Sequence, residues 1–382
     1  MRILYVIPTM GAGGAERVMS YLVSHFAKQH DVTLLTFDSP DAISFYPLPD
    51  NVKLRRLDTL GGFNLQRSMR LLSRPGLLRK AVRSLRPDVI VSFTDTTNIT
   101  TIVGCLGLNV PVVISERIDP TEHRIGWMKE AARRYTYPLA RFIICPTKRV
   151  AGYFPQSLQP KIRVIGNPVP IASIKAKPSM PGPDGRMRVI AVGRCSLQKG
   201  FDRLIDAFAS IEGQYPHWDL AIIGDGPERL KLKARVRQLG LETKISLKGV
   251  TSALLPELAA SHVMAFPSYY EGFPNALAEG LAAGLPAVAY PGVSGVEELI
   301  VDGVTGVLAD ETQPITGLAK ALARLMKDGP LRASLGEAAR QHVSRWEPNY
   351  VFSRWDDLLF EAVKADETRG FPRRFGADPH YH

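Results

Sequence analysis

Short apolar segments alternate with helix-forming segments along the whole chain of 382 residues, and this alternation constrains the fold more than any other feature. Strands separated by helices favour parallel sheets that are covered by helices on both faces. The pattern predicts strands near residues 2–8, 31–37, 52–57, 88–93, 111–115, 142–146, 162–165, 187–193, 219–223, 245–248, 263–266, 286–290 and 306–308. The chain is therefore predicted to be an α/β protein.

The stretch 167–187 carries five prolines and predicts a connection between two domains. We predict an N-terminal Rossmann-like domain over 1–167 and a second one over 168–345, facing each other across a cleft. A helix over 346–365 is predicted to cross back onto the first domain. Residues 366–382 are predicted to form a tail.

Two glutamates, Glu271 and Glu279, stand eight residues apart in EGFPNALAEGLAAGLPAVA, directly after the apolar run VMAFPS. Pro274 suits the first helical position, which puts Glu271 on the loop and Glu279 on the second helical turn. Asn275 then shares a helix face with Glu279. Free backbone N–H groups at a helix start can bind phosphate, and carboxylates can bind sugar and ribose hydroxyls. The segment therefore predicts a sugar-nucleotide site.

A second motif, VIAVGRCSLQKGF, predicts a strand, a loop and a helix start. Arg194 and Lys199 lie five residues apart across that turn, so both can point at one diphosphate and stabilise its developing charge. Near the N-terminus, Gly13 and Gly14 allow a ligand to approach the backbone closely. The chain has neither an Asp-x-Asp pair nor clusters with metal-ligand spacing, so no metal or other cofactor is expected.

These motifs occur in an order that resembles the retaining glycosyltransferases of family 4, over roughly residues 1 to 360. The resemblance implies the GT-B architecture and a catalytic role for Arg194, Lys199 and Glu271. It also implies that the donor nucleotide sugar is bound at Gly13, Gly14, Gly193, Gly249, Val250, Gly272, Phe273, Pro274, Asn275 and Glu279.

The segments GAGGAE and ISERIDP also resemble bacterial N-acetylgalactosamine transferases that act on polyprenyl-diphosphate sugars. This narrower resemblance implies a UDP-sugar donor and a polyprenyl-diphosphate glycan acceptor. Many relatives carry a histidine at this strand end, whereas the present chain has Glu116 and Arg117. These two residues either position acceptor or donor hydroxyls or form a structural pair.

The positive charge is confined to the first half of the chain. Residues 1–167 hold 23 Lys and Arg against 12 Asp and Glu, whereas residues 168–382 hold 25 of each. Seven basic residues and several leucines fall in the segment 67–86, which suits contact with an anionic membrane or with the diphosphate of the acceptor. The candidates are Arg70, Arg74, Arg79 and Arg83. A solvated basic helix face is the alternative, and the lack of a recognition motif disfavours nucleic acid.

No run of 18 apolar residues occurs, no signal peptide is predicted, and the three cysteines are scattered. We expect a cytoplasmic protein, peripheral on the inner face of the membrane. Two other function classes stay open. One is a sugar-nucleotide epimerase of the same architecture, and the other is a non-catalytic nucleotide-sugar-binding protein.

Overall fold

The computed structural model describes residues 1–57, 65–251 and 253–367, and it contains two parallel sheets. In the described residues the first sheet has the strand order β3-β2-β1-β4-β5-β6-β7. Its strands are β1 (Arg2–Val6), β2 (Asp31–Thr36), β3 (Lys53–Arg56), β4 (Val89–Phe93), β5 (Val112–Ser115), β6 (Phe142–Cys145) and β7 (Ile162–Val164).

The second sheet has the order β10-β9-β8-β11-β12-β13 within the same described ranges. Its strands are β8 (Met187–Val192), β9 (Trp218–Ile223), β10 (Ile245–Gly249), β11 (Val263–Phe266), β12 (Ala287–Ala289) and β13 (Gly306–Leu308). Each predicted strand is present, with ends displaced by two residues at most. The prediction succeeded because buried parallel strands are nearly continuous apolar runs, as in VIVSF of β4, which is buried throughout.

Helices cover both sheets. In the described part of the chain they are α1 (Gly14–Phe26), α2 (Leu65–Leu85), α3 (Asp95–Cys105), α4 (Trp127–Thr136), α5 (Lys148–Gly152), α6 (Phe201–Ala209), α7 (Arg229–Gln238), α8 (Leu254–Ala259), α9 (Asn275–Ala282), α10 (Val296–Leu299), α11 (Pro314–Lys327), α12 (Gly329–Val343) and α13 (Pro348–Glu367). None of these helices combines the length and the apolar run that crossing a bilayer requires.

The strand order of each sheet reverses at its centre, between β1 and β4 in the first sheet and between β8 and β11 in the second. In open parallel sheets the crevice at such a reversal, beyond the carboxyl ends of the strands, is where ligands bind. The Gly-rich segment follows β1, and the turn that carries Lys199 follows β8. The topology therefore puts both segments at the crevices of their sheets.

The backbone passes between the two sheets twice. The first passage follows β7, and the second lies between α12 and α13. The two passages touch, because the Val169 N–H donates a hydrogen bond of 2.8 Å to the Trp346 carbonyl. Helix α13 then packs on the first sheet, where Trp355 is buried against Phe93 with ring centroids 6.2 Å apart. All but two residues of the predicted tail lie outside the described residues.

Candidate active site

Glycines end three neighbouring strands of the second sheet and line up at its carboxyl edge. The Gly193 N–H donates to the Ile223 carbonyl at 3.0 Å, and the Gly224 N–H donates to the Gly249 carbonyl at 2.7 Å. A Cβ at Gly193 would lie 3.0 Å from Cε of Lys199, so the bare glycine leaves room for the lysine side chain. Val250 follows Gly249 and is exposed, as a residue contacting a ligand would be.

The lysine predicted to bind diphosphate is fixed by the turn that holds it. A short 3₁₀ turn ends at Lys199, and Gly200 then adopts the left-handed conformation with φ of +59° before α6 begins. A Cβ at Gly200 would lie 2.2 Å from the Pro267 carbonyl oxygen, so only glycine fits there. The turn brings Lys199 Nζ to 2.5 Å from Glu271 Oε1. Lys199 and Glu271, which lie 72 positions apart in the sequence, thus form one partly buried ion pair.

Arg194, the other predicted diphosphate ligand, is exposed. Its guanidinium has no ion-pair partner among the residues that the structure describes. Two cations are therefore available to an incoming diphosphate. Lys199 is held in place by its ion pair, whereas no ion pair fixes Arg194.

Glu279 lies on α9, as predicted, and is held by a residue of the first domain. Arg17 on α1 places its Nη1 2.5 Å from Glu279 Oε1, whereas Glu279 Oε2 is buried without a hydrogen-bond partner. Burial raises the pKa of Glu279, and Arg17 opposes that shift. Burial is the largest single influence on the pKa of Arg17 and lowers it, but Glu279 and Tyr21 together, through charge and hydrogen bonds, raise the pKa above its ordinary value. The carboxylate thus keeps one acceptor oxygen available.

Asn275 joins the two domains through a chain of hydrogen bonds. Arg117 Nη1 donates to Asn167 Oδ1 at 2.6 Å, and Asn167 Nδ2 donates to Asn275 Oδ1 at 2.8 Å. Asn275 Nδ2 in turn approaches the Gly14 carbonyl at 3.5 Å. A Cβ at Gly14 would lie 2.9 Å from that Asn275 nitrogen. The Gly-rich segment and the start of α9 therefore meet directly.

Two details of the predicted donor segment need correction. Pro274 occupies the N-cap position and not the first helical position, because α9 begins at Asn275. The side chain of Phe273 is buried against Trp346, with ring centroids 6.0 Å apart, so it supports the site and only its backbone can reach a donor. Gly272 lies where a Cβ would come within 2.2 Å of the Arg117 carbonyl oxygen, across the domain boundary.

Glu116 and Arg117 do not form an ion pair with each other. Glu116 is fully buried, accepts a hydrogen bond from Tyr137 and lies 3.8 Å from Arg133. Burial raises the pKa of Glu116 to about 7, although Arg133 and Tyr137 oppose the shift. Arg117 points elsewhere and packs 3.6 Å above the Phe93 ring, where burial lowers its pKa to about 9. The predicted alternative of a structural pair is therefore wrong, since neighbouring residues at a strand end face opposite sides.

The predicted basic surface on α2 is wrong in part. Arg74 is buried, with its guanidinium 4.9 Å above the Phe37 ring, and so cannot contact a membrane. Arg79 lies on the helix surface but donates to the carbonyls of Gly104 and Leu106. Arg83 is exposed, and the side chain of Arg70 lies outside the described part of the chain. The physical reason is that long cationic side chains pack their stems and planes on apolar groups.

Sequence reasoning missed Arg17 and Asn167. Both act across the domain boundary, and nothing in the sequence pairs them with Glu279 and Asn275. A weak signal was available for Arg17, because it lies in the first turn of the helix that follows the glycines. Among the described residues, no group of three or more His, Cys, Asp or Glu side chains is arranged to hold a metal ion. Metal independence itself stays a prediction.

Two Rossmann-like domains, with cations and carboxylates at the carboxyl edge of the second sheet, place the chain in the GT-B class of fold. Two family models match consecutive parts of the chain, Glycosyltransferase Family 4 over residues 12–173 and Glycosyl transferases group 1 over residues 174–342. The chain belongs to these glycosyltransferases, and the predicted resemblance is confirmed.

The chain is also similar to individual proteins over most of its length. The chain is 27% identical over 381 residues to a GalNAc-α-(1→4)-GalNAc-α-(1→3)-diNAcBac-PP-undecaprenol α-1,4-N-acetyl-D-galactosaminyltransferase of Campylobacter jejuni, covering 96% of this chain and 100% of that one. It is also 27% identical to an exopolysaccharide phosphotransferase of Streptomyces coelicolor, covering 95% of this chain but only 40% of that protein. The crystal structure of Anabaena HepE in complex with UDP and glucose superposes with a TM-score of 0.78 at 20% identity, covering 94% and 99% of the two chains. That likeness shows the shared GT-B fold.

Proposed function

We propose that this glycosyltransferase moves an N-acetylhexosamine such as GalNAc from a UDP-sugar, with retention at the anomeric carbon, onto a polyprenyl-diphosphate-linked glycan. The Lys199–Glu271 ion pair carries the proposal. It sets a cation and a carboxylate side by side at the strand ends, as a donor with a diphosphate next to a sugar requires. The relative from Campylobacter, whose name states this chemistry, supports the choice of donor sugar and acceptor.

Each side chain has a proposed task. Lys199 and Arg194 would neutralise the charge that grows on the diphosphate as UDP leaves, which is electrostatic stabilisation of the transition state. Glu271 would hold hydroxyls of the donor sugar, and the free Oε2 of Glu279 would accept a ribose hydroxyl. Retention rests on family membership, and a front-face displacement needs no nucleophilic carboxylate from the protein.

The proposed setting is the cytoplasmic face of the membrane, where a lipid-linked acceptor would reach the first domain. The net charge of +11 belongs to residues 1–167 and suits an anionic lipid surface and an acceptor diphosphate. No metal takes part in the proposed chemistry, because Arg194 and Lys199 supply the positive charge.

The test is a panel of UDP-sugars offered with a short polyprenyl-diphosphate glycan, with products identified by mass. One added N-acetylhexosamine, formed equally in excess chelator, is the expected product. Conversion of a UDP-sugar without acceptor would instead identify an epimerase. Binding of UDP-sugar without any product would identify a binding protein, and loss of activity in chelator restored by Mg²⁺ would reveal a metal site.

Lys199→Ala tests the site within the same assay. Removing one such electrostatic donor costs on the order of 10²–10³ in rate, so kcat should fall by that factor. Lys53→Ala is the matched control, since it removes a lysine that lies 2.7 Å from Asp31 at the edge of the first sheet. Unchanged turnover in Lys199→Ala would remove this residue from the site.

A further inference from the structure

One face of helix α4 is apolar and exposed. Trp127 is 80% exposed, Met128 67% and Tyr135 76%, and Leu139 just beyond the helix is 59% exposed. At 100° per residue the first three side chains share one side of the helix, and Arg133 on the opposite side is buried. We call the four exposed residues the α4 face. An exposed apolar surface of this kind marks a site of interaction.

The apolar surface continues past the end of the helix into a cavity of about 300 Å³. Leu139 and the half-exposed Leu106 both line this cavity, together with the cationic side chains of Arg141 and Lys161. Nε of Arg141 is buried there without a hydrogen-bond partner. The cavity therefore combines apolar walls with positive charge at the end of the α4 face.

Exposed cations flank the α4 face. Arg124, Lys129 and Arg134 are exposed. Glu130 is the one acidic residue between 123 and 141, and its carboxylate is already engaged, with oxygens 3.1 Å from Arg133 Nη1 and 3.1 Å from the Tyr153 hydroxyl. The surface is therefore apolar at its centre and positively charged around its rim.

We infer that the α4 face docks the protein onto an anionic lipid bilayer, an inference that rests on the proposed lipid-linked acceptor and names the surface that meets its membrane. Exposed Trp, Tyr, Met and Leu beside Lys and Arg suit the boundary between acyl chains and anionic headgroups. A second copy of the chain is a poorer occupant, because a symmetric contact would bring the same cations together.

The position of α4 in the chain gives the docked protein an orientation. The helix follows the loop after the carboxyl end of β5 and returns to the start of β6, so Trp127 lies on the cleft side of the first sheet. A protein resting on the α4 face therefore has the mouth of the cleft beside the bilayer, within reach of an acceptor anchored there.

Tryptophan fluorescence tests the inference without any enzymatic assay. The chain has four tryptophans, and Trp218, Trp346 and Trp355 are at most 9% exposed, so a change on binding reports Trp127. Phosphatidylglycerol vesicles with brominated acyl chains should shift the emission to the blue and quench it, and neutral phosphatidylcholine vesicles should do neither. Trp127→Phe should abolish both signals. Vesicle binding without any quenching would overturn the inference, because another surface would then be in contact.

A matched pair of variants tests the energetics by vesicle sedimentation. Trp127→Glu should weaken binding to phosphatidylglycerol vesicles by about tenfold or more. Leu230→Glu introduces the same charge at another residue that is 80% exposed, on α7, and should weaken it far less. Equal binding of the two variants would contradict the inference. So would a dimer of the parent that Trp127→Glu dissociates, because the face would then be a contact between copies.

Failure of the proposed function would look different. A parent protein that docks through Trp127 but transfers no sugar would leave the docking surface intact and remove the proposed reaction. Conversely, the parent could bind no vesicles while it and Trp127→Glu transfer sugar equally well to a short water-soluble acceptor. That result would refute the docking surface and keep the proposed reaction.

Discussion

Glu279 and Glu271 have the same chemistry but different neighbours. Alanine substitutions of the two should therefore have different effects on UDP affinity and on the transfer rate. Glu279 faces Arg17 with one oxygen unpartnered, whereas Glu271 faces Lys199. If Glu279 binds the ribose as proposed, Glu279→Ala should weaken the affinity for UDP by about tenfold or more, because a buried hydrogen-bond acceptor would be lost. Glu271→Ala should change UDP affinity little but lower the transfer rate by about 10²-fold. Titration calorimetry with UDP and initial rates give both quantities, and equal loss of UDP binding in the two variants would refute this division.

The buried Glu116 gives the fold a dependence on pH. Its pKa of about 7 in the folded protein exceeds its ordinary value of 4.5, so the folded state keeps a proton that the unfolded state has lost. The free energy of unfolding should therefore fall as pH rises from about 4.5 to 7, and Glu116→Gln should remove that fall. Relative to the parent, the variant should gain about 1–3 kcal/mol across this range. Urea unfolding at several pH values, with exposed Glu242→Gln as control, measures it. A pH-independent difference between parent and variant would be inconsistent with a titrating Glu116.

Single residues were predictable where a local motif defines them. The positions of Glu271, Glu279 and Lys199 were predicted correctly, because each stands at a strand end or near a helix start that the sequence reveals, whereas their roles stay predictions. Arg17 and Asn167 were missed because their partners Glu279 and Asn275 lie in the other domain. A contact between domains produces no periodic pattern in the sequence. The environment of Glu116 escaped prediction for a different reason, since its partners Tyr137 and Arg133 lie in the same domain but in a later segment that no local motif links to it.

Helix α2 shows how a pattern of charges misleads when the buried face is unknown. Arg74 is 7% exposed over Phe37, whereas Arg83 is exposed. Arg74→Ala should therefore lower the free energy of unfolding by about 1–2 kcal/mol through lost packing and cation–π contact. Arg83→Ala should change it by less than about 0.5 kcal/mol. Urea denaturation of both variants tests this. Equal free energies of unfolding for the two variants would mean that the basic residues of α2 are uniformly solvated.

The elements themselves were largely predictable. Most strands of the two sheets follow from apolar runs bounded by turns, because a strand buried on two faces needs little tertiary information. The edge strand β3, KLRR, differs, since its residues alternate between exposed and half-buried. Helix faces were harder. The charge pattern of α2 predicted a surface contact, whereas the sequence of α4, WMKEAARRYT, is that of an ordinary polar helix and does not predict the α4 face. The apolar residues are seen to be exposed only once Arg133 is known to lie on the buried side of the helix.

At the scale of the whole molecule, the two domains touch closely at Gly272. A Cβ added at Gly272 would lie only 2.2 Å from the Arg117 carbonyl oxygen. Gly272→Ala should therefore wedge the domains apart, and turnover should fall by about tenfold or more, because overpacking of this kind costs about 1–3 kcal/mol. Small-angle scattering should show a larger radius of gyration for the variant. Gly213→Ala, where the new Cβ meets no atom within 4 Å, is the control. An unchanged radius with normal turnover would mean that the domains need not meet here.

The return of α13 onto the first sheet has a consequence for how the protein is made. Trp355 is 1% exposed and covers Phe93, and Phe352 stacks on His25 with ring centroids 4.3 Å apart. The ribosome delivers these residues only after the whole second domain has emerged. The first of the two domains is therefore completed only after the second, and the nascent chain carries an uncovered apolar patch around Phe93 until α13 has emerged.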